Sequence, residues 1–249
     1  MKILVSNDDG YYAPGIQALY EALSPFHDLT IVAPDRDKSA VSHSISLNKP
    51  LRLEKLKIYP DKKVYSLSGT PADCIKLALF ELFPEPPDLI ISGINPGTNT
   101  GVNINYSGTA GAAREGALNN IRSIAVSVKK KGKMMDFEGL AGFIARLVEQ
   151  IENINLPSAT FLNINAPDIF VTESTPVRIT RQAQHNVSEG FAKRVDPRNR
   201  EYYWYDEINR DSGDEGTDIH ALSLNAISIT PIKCDATNYE AMKVILVDF

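Results

Sequence analysis

Two adjacent carboxylates, Asp8 and Asp9, are the sharpest chemical feature of this sequence, because they come directly after a short apolar run and one Ser-Asn step. Like charges this close repel each other, and a cation beside them relieves the repulsion and keeps both ionised. The alternative is an ordinary turn, since Asn and Asp favour turns and Gly10 permits a left-handed bend. The pair alone does not decide between a cation site and a turn.

Two further polar segments also follow predicted strands and add oxygen ligands, with Ser39 in the first and Asn95 in the second. Carboxylate, hydroxyl and amide oxygens, with no imidazole, suit a hard cation such as Mg²⁺, Mn²⁺ or Ca²⁺ rather than structural zinc. Ligands of open parallel sheets bind beyond the carboxyl ends of the strands. We therefore expect Asp8, Asp9, Ser39 and Asn95 to meet at one sheet edge, which favours the cation site over the turn.

Residues 95–109 are rich in Gly, Asn, Ser and Thr and run into a helix predicted from Ser107. Backbone N–H groups at such a helix start can cradle a phosphate. The segment is neither a Walker loop nor a dinucleotide fingerprint, because its glycines are spaced differently and no Gly-Lys-Ser/Thr follows. A purely structural Gly/Asn-rich loop is the alternative.

Three other features have two readings each. His43 could be a general acid or base near neutral pH, or a packing residue. The aromatic run at residues 202–205 could stack a base, although clustered aromatics are typical of subunit contacts. The lysines at 129–131 are interpreted as a solvated loop rather than a nucleic-acid patch.

The elements that would position these residues follow from the hydrophobic pattern. Short apolar runs predict buried strands at residues 2–6, 29–33, 88–92, 123–128 and 161–164. A 3.6-residue period predicts helices from Pro14, from Pro71 behind a Thr70 cap, and over residues 107–119 and 136–151. Alternating strands and helices predict a mainly parallel sheet with right-handed crossovers over residues 1–170.

Helical periodicity stops near residue 172, so we expect residues 171–249 to be a β-rich extension that completes the same unit. Strands are predicted at 177–180 and 226–230, and the long mixed stretch between them is expected to be a functional loop or an interaction arm.

Composition excludes several classes of protein. The 249 residues are 43% hydrophobic and 23% charged, as in ordinary globular proteins rather than disordered or fibrous ones. The net charge of −5 argues against a nucleic-acid surface. Nowhere do 18 apolar residues run together, so no membrane span is expected. The two cysteines, Cys74 and Cys234, are expected to be reduced thiols, which predicts a cytoplasmic protein.

Five motifs in fixed order together resemble the SurE (survival protein E) nucleotidase family. They are MKILVSNDDGYYAPGI, VAPDRDKSA, YSLSGTPADC, ISGINPGTNTG and YSGTAGAAREGA. The resemblance implies a three-layer α/β/α Rossmann-like core, with a C-terminal extension that builds a homodimer or homotetramer by exchange between subunits. It implies hydrolysis of nucleoside 5′-monophosphates, and also of 3′-monophosphates and short polyphosphate, with one divalent cation per subunit, Mg²⁺ or Mn²⁺.

The resemblance also places the family's functional residues on this chain. Its metal ligands, which include the catalytic carboxylates Asp8 and Asp9, fall on Asp8, Asp9, Ser39 and Asn95. Its phosphate-contacting groups fall on Asn99, Ser107, Gly108 and Thr109.

Three alternatives stay open at this point. The reaction could proceed by direct attack of water or through an aspartyl-phosphate on Asp8 or Asp9. The same fold could serve a non-catalytic metal or nucleotide sensor. It could also serve a nucleotide-sugar transferase that uses paired carboxylates and a metal on a diphosphate.

Overall fold

The computed structural model describes residues 1–57, 62–130, 135–184, 188–208 and 213–245. Its strands are β1 (Lys2–Ser6), β2 (Asp28–Pro34), β3 (Leu53–Lys55), β4 (Lys63–Leu67), β5 (Leu89–Pro96), β6 (Arg122–Val128), β7 (Thr160–Ala166), β8 (Val177–Ile179), β9 (Ser188–Val195), β10 (Glu201–Ile208) and β11 (Ile227–Lys233). Its α-helices are α1 (Pro14–Leu23), α2 (Pro71–Glu81), α3 (Gly108–Leu118), α4 (Phe137–Gln150), α5 (Asp218–Ser223) and α6 (Tyr239–Met242).

A nine-stranded sheet forms the centre of the described chain, in the order β3-β4-β2-β1-β5-β6-β7-β11-β8. The strands from β4 to β7 are all parallel, whereas β3 pairs antiparallel with β4 and β11 pairs antiparallel with β7. The carboxyl ends of β1, β2 and β5 therefore lie at the same edge. This confirms the predicted α/β class with a mainly parallel sheet.

The sheet separates two helical layers. Successive residues of a strand point to opposite faces, and β1 shows this directly. Ile3 and Val5 pack in the same buried cluster as α1 and α4, whereas Leu4 packs in a second buried cluster with α2 and α3. The result is the predicted three-layer α/β/α arrangement.

Local capping signals set the start of α2. Thr70 Oγ1 accepts a hydrogen bond from the N–H of Asp73, and the Asp73 carboxylate accepts one from the N–H of Thr70. This reciprocal capping box, with Pro71 at the first helical position, satisfies backbone donors that would otherwise be unpaired.

The prediction of a long functional loop between residues 180 and 226 is wrong for the described residues, whereas its alternative, an interaction arm, stays a prediction. Instead, β9 and β10 form a two-stranded antiparallel hairpin, and α5 follows it. Asp196 closes the turn by accepting hydrogen bonds from the N–H groups of Arg198 and Arg200. The run EYYWY is aromatic on both faces of β10, so it lacks the apolar and polar alternation that signals a half-buried strand.

The C-terminal extension returns to the central sheet, because β11 lies between β7 and β8. Asp218, at the start of α5, is buried and joins the extension to the core. Its carboxylate accepts hydrogen bonds from the N–H groups of Gly101 at 2.8 Å and Ala183 at 3.1 Å. In the described part of the chain, no helix has both the length and the apolar character needed to cross a bilayer.

Candidate active site

A cavity of about 640 Å³ opens beyond the carboxyl ends of β1, β2 and β5. Six of the eight residues predicted for the site line it: Asp8, Asp9, Ser39, Asn95, Asn99 and Ser107. The other lining residues are Asp37, Ala40, Pro96, Thr98, Asn103, Tyr106, Lys130 and Tyr205. The fold thus brings together residues as distant in the chain as Asp8 and Tyr205.

The turn that carries the two carboxylates is held by the side chain of Asn7, which begins the turn. Asn7 is buried, donates through Nδ2 to the carbonyl of Gly10 at 2.9 Å and accepts from the N–H of Gly10 at 3.1 Å. Gly10 has a φ of +102°, which favours glycine. The N–H of Lys38 donates to the carbonyl of Asp8 at 2.7 Å, so the turns after β1 and β2 are joined.

Asp8 is buried and Asp9 is half-buried, and burial is the main reason that their pKa values are raised. Asp8 is only 4% exposed, and the hydroxyl of Thr109 donates to its Oδ1 at 2.5 Å. Burial, together with the nearby charges of Asp8 and Asp37, raises the pKa of Asp9 to about 7. Asp9 Oδ2 is buried with no hydrogen-bond partner among the described residues.

These observations fit a cation at the carboxylate pair. A buried carboxylate oxygen without a donor is costly unless a positive charge faces it. The described residues contain no group of three or more His, Cys, Asp and Glu side chains that could hold a metal. A cation here would rely on two carboxylates with neutral oxygens, a set that Mg²⁺ accepts when water and phosphate complete its shell.

Ser39 is oriented by Asp37, a residue that the sequence analysis did not assign to the site. Asp37 Oδ1 accepts from the backbone N–H of Ser39 at 2.7 Å and from its hydroxyl at 2.6 Å. Because the hydroxyl proton points to Asp37, the oxygen lone pairs of Ser39 are left for a ligand. An Asp two residues before a Ser is the pattern that could have indicated this turn.

Asn95 is oriented in a comparable way. Its Nδ2 donates to the carbonyl of Gly97 at 2.6 Å. Its amide oxygen, an acceptor, is then the atom suited to a cation. The proposed ligand roles of Asp8, Asp9, Ser39 and Asn95 stay predictions, and the cavity places their side chains together.

The start of α3 lies directly against Asp8. Ser107 is the N-cap of this helix and accepts from the N–H of Ala110 at 3.0 Å. A Cβ built on Gly108 would lie 2.9 Å from Asp8 Cβ and 3.1 Å from Asp8 Oδ2, so only glycine allows this approach. Gly108 and Thr109 are not lining residues of the cavity, and the Thr109 side chain is used to hold Asp8.

Asn99 is fixed by a buried polar network. Its N–H donates to Asn165 Oδ1 at 2.8 Å, and its carbonyl accepts from Asn163 Nδ2 at 2.8 Å. Its own Nδ2 donates to Ser127 Oγ at 2.8 Å. An amide nitrogen carries two donors, and the bond to Ser127 uses one of them.

His43 packs away from the cavity, which favours the packing interpretation over acid or base chemistry. Its Nε2 lies 2.9 Å from Glu115 Oε2, and Lys76 Nζ lies 2.8 Å from Glu115 Oε1. The His43 hydrogen bond, and then Lys76, lower the pKa of the buried Glu115 to about 2, against the opposing effect of burial. This cluster ties the segment after Ser39 to α3.

The rim of the cavity contains residues that sequence reasoning left aside or read differently. Lys130, interpreted as part of a solvated loop, lines the cavity at its exposed side; Lys131 of the same run lies outside the described residues. Tyr205 also lines it, whereas strand alternation places Tyr202 and Trp204 on the opposite face of the hairpin. Tyr106 is the third rim residue.

Comparison with known proteins places the chain in a family. The family model described as "Survival protein SurE" matches residues 3–189. The "5′-nucleotidase SurE" of Pelobacter propionicus is 44% identical over 246 residues, which is 98% of this chain and 98% of that protein. That of Desulfatibacillum aliphaticivorans is 46% identical over 242 residues, 96% of this chain and 94% of that protein.

A solved structure agrees with these sequence relatives. The crystal structure of the SurE protein from Aquifex aeolicus superposes with a TM-score of 0.87 at 38% identity, and 98% of each chain is covered. The fold, the ordered motifs and these relatives lead to one conclusion: the chain belongs to the SurE family.

Proposed function

We propose that this protein is a 5′-nucleotidase, a metal-dependent phosphomonoesterase that releases phosphate from nucleoside 5′-monophosphates. The observation that carries the proposal is the unpartnered buried Oδ2 of Asp9 in a cavity that is also lined by Ser107, the N-cap of α3. The carboxylate side of the cavity is therefore suited to a cation, and the side at the start of α3 is suited to an anion. The relatives named 5′-nucleotidase SurE support the same activity.

Asp8, Asp9, Ser39 and Asn95 would hold the cation, for which we propose Mg²⁺ or Mn²⁺. A divalent cation at this place supplies charge neutralisation for the phosphoryl oxygens and lowers the pKa of bound water. Thr109 keeps Asp8 in place through its hydroxyl, and Asp37 keeps Ser39 in place.

The phosphate oxygens would be bound on the α3 side. The first turn of α3 carries the positive end of the helix dipole. Within this turn the N–H of Ala110 is already bonded to Ser107 Oγ and the backbone of Thr109 is bonded to Asp8, so the N–H of Gly108 is the donor that we propose for the phosphate. The second N–H of the Asn99 amide would add a donor that its buried network holds in position. Such preorganised donors stabilise charge that develops as the P–O bond breaks.

We propose direct attack of water on phosphorus rather than an aspartyl-phosphate. Asp8 supports this, because its Oδ1 is buried and already accepts a short hydrogen bond from Thr109. Hydrolysis of a substrate whose phosphoryl group is chiral through oxygen isotopes tests it, because one displacement by water inverts the configuration at phosphorus and two displacements through an aspartyl-phosphate retain it. Retention of configuration at phosphorus would contradict direct attack.

The activity itself is tested by phosphate release from AMP and GMP with Mg²⁺, with Mn²⁺ and with a chelator. We expect release only with metal, and we expect Asp9→Asn to abolish it with the fold retained by circular dichroism. Asp28→Asn is the matched control, because Asp28 is exposed and pairs with Lys63 at the opposite end of β2. Absence of metal-dependent release from every nucleotide would overturn the proposal and favour a sensor.

A transferase is tested in the same preparation. Competition between a nucleotide sugar and AMP distinguishes it, since tighter binding of the nucleotide sugar would favour the transferase. The same assay extends to 3′-monophosphates and short polyphosphate, which we propose as further substrates.

We also propose that the β9–β10 hairpin joins subunits into a homodimer or homotetramer. Apart from each other, β9 and β10 make few contacts within the described chain, and Trp204 is 62% exposed. Exposed aromatic clusters of this kind are typical of interfaces. Light scattering of the protein and of Trp204→Ala measures the oligomeric state, and a monomeric unmodified protein would contradict the proposal.

A further inference from the structure

We propose that Tyr106 and Tyr205 form an aromatic wall that binds the base of the substrate, so that the site selects nucleotides over phosphate esters that have no base. The inference rests on the proposed nucleotidase function and specifies how the substrate is recognised. It is carried by the position of two exposed rings at the rim of the cavity.

The size of the cavity calls for more than a phosphate. Its volume of about 640 Å³ lies within the usual range of sites that enclose a whole small ligand. The carboxylates and the start of α3 occupy the inner part, where the phosphate is expected. The outer part must therefore accommodate the remainder of the substrate.

Tyr106 stands immediately before Ser107, the cap of α3, so its ring is one residue from the phosphate cradle. Its backbone is fixed at both ends. Its N–H donates to the carbonyl of Asn103 at 3.0 Å, and its carbonyl accepts from the N–H of Ser42 at 2.9 Å. Its side chain is nevertheless 56% exposed. A large apolar ring held at the mouth of a polar cavity offers a surface for stacking.

Tyr205 comes from a different element, the hairpin strand β10, and lines the same cavity. Phe191, opposite it on β9, supports the ring in an edge-to-face contact with centroids 5.9 Å apart and an interplanar angle of 75°. Tyr205 is 53% exposed at this rim. Two aromatic residues from distant parts of the chain thus border one outer compartment.

Aromatic stacking recognises the presence and the size of a base rather than its edge. Every base has a π face, so such a wall tolerates different bases. A purine covers more of a ring than a pyrimidine does. We therefore expect purine nucleoside monophosphates to be better substrates than pyrimidine ones, and ribose 5-phosphate to be the poorest.

The test compares kcat/KM for AMP and for ribose 5-phosphate, which share the ribose and the phosphate and differ in the base. The unmodified protein is expected to prefer AMP, and Tyr205→Ala is expected to lower the ratio of the two values by about 5- to 150-fold, the range found for single base-stacking aromatics. Tyr205→Phe keeps the ring and is expected to restore the ratio.

Tyr202→Ala is the matched control, because it removes the same side chain from the other face of the same strand. Equal kcat/KM for the two esters in the unmodified protein would overturn the wall. So would a Tyr205→Ala variant in which both values fall by the same factor, since that would assign the ring a structural role. A ratio that Tyr202→Ala lowers as much as Tyr205→Ala does would also overturn it.

Failure of the proposed function is a separate outcome. If neither ester is hydrolysed with any metal, the nucleotidase proposal falls. Titration calorimetry with AMP and ribose 5-phosphate then tests the wall by itself, and equal affinities for the two would overturn it.

Discussion

Gly108 allows α3 to lie against Asp8, and its replacement by Ala should disturb the site more than the fold. A Cβ at this position would lie 2.9 Å from Asp8 Cβ and 3.2 Å from Pro71 Cγ. Carbon atoms normally pack at about 3.5–4.0 Å, so Asp8 or the helix must move by roughly half an ångström. Asp8 cannot absorb this freely, because it is buried and bonded to Thr109.

The expected magnitude follows from two opposing effects on stability and one on activity. Overpacking costs about 1–3 kcal/mol, and Ala gains up to about 1 kcal/mol over Gly in a helix. Because Gly108 is the first residue of α3, where the gain is smallest, the variant should lose at most about 3 kcal/mol of unfolding free energy. Since a misplacement of about 1 Å can cost about 100-fold in rate, we expect phosphate release from AMP to fall about 10- to 100-fold.

Gly142→Ala supplies the control for this experiment. Gly142 lies in α4, and the nearest atom that a Cβ would meet there is Arg146 Nη1 at 3.9 Å. This variant should keep full activity and gain up to about 1 kcal/mol in stability. Steady-state phosphate release and urea unfolding measure both variants. A Gly108→Ala protein with activity within about twofold of the unmodified one would refute the steric reasoning.

The ion cluster at Glu115 and the rim lysine give two further predictions. Glu115→Gln should destabilise the protein by about 1–3 kcal/mol at neutral pH. Because His43 and Lys76 hold the pKa of Glu115 at about 2, below its ordinary 4.5, this stabilisation is present above pH 4.5 and is lost as the pH falls towards 2. Urea unfolding of both proteins at a series of pH values measures it. A difference in unfolding free energy between the two proteins that stays constant down to pH 2 would contradict it. Lys130→Ala should raise the KM for AMP about two- to fivefold at low salt, because it removes a cation from the rim, and screening should shrink the effect at high salt. An effect independent of salt would contradict an electrostatic role for Lys130.

The alternating core was predictable because its patterns are local. The strand β1 is a short apolar run, and α2 has a Thr70 cap, Pro71 and an apolar face within one segment. Each of these signals depends on residues a few positions apart. Element ends were predicted to within a few residues, and β5 extends furthest beyond its predicted end, to Pro96.

The elements that were missed depend on distant partners. The strands β3 and β4 are not signalled by an apolar run, because β3 is a three-residue edge strand with Glu54 and Lys55 exposed. The hairpin was read as a loop because aromatic residues occupy both faces of β10. The pairing of β10 with β9 depends on tertiary contacts, and the hydrophobic periodicity of the local sequence does not indicate it.

The candidate site likewise has residues that could be predicted from the sequence and residues that could not. Side chains at or just beyond a strand end, such as Asn95 near the end of β5 and Asp8 and Ser39 after β1 and β2, could be brought together from topology alone. The residues that orient them could not, because Thr109 and Asp37 act through hydrogen bonds whose geometry appears only in the folded chain. The contribution of Tyr205 to the rim likewise depends on where a distant hairpin lies.

The two hydrogen bonds of the buried Asp218 carboxylate have a consequence for the local unfolding of the protein. A single carboxylate accepts from the N–H groups of Gly101, in the loop before α3, and of Ala183, in the C-terminal extension. Segments tied through one buried group open together, as a cooperative unit. Amide hydrogen exchange should therefore show Gly101 and Ala183 exchanging at similar rates, and Asp218→Asn should speed both. The segment that carries Asn99 and Asn103 at the cavity is therefore only as stable against local opening as α5, which lies more than a hundred residues later in the chain.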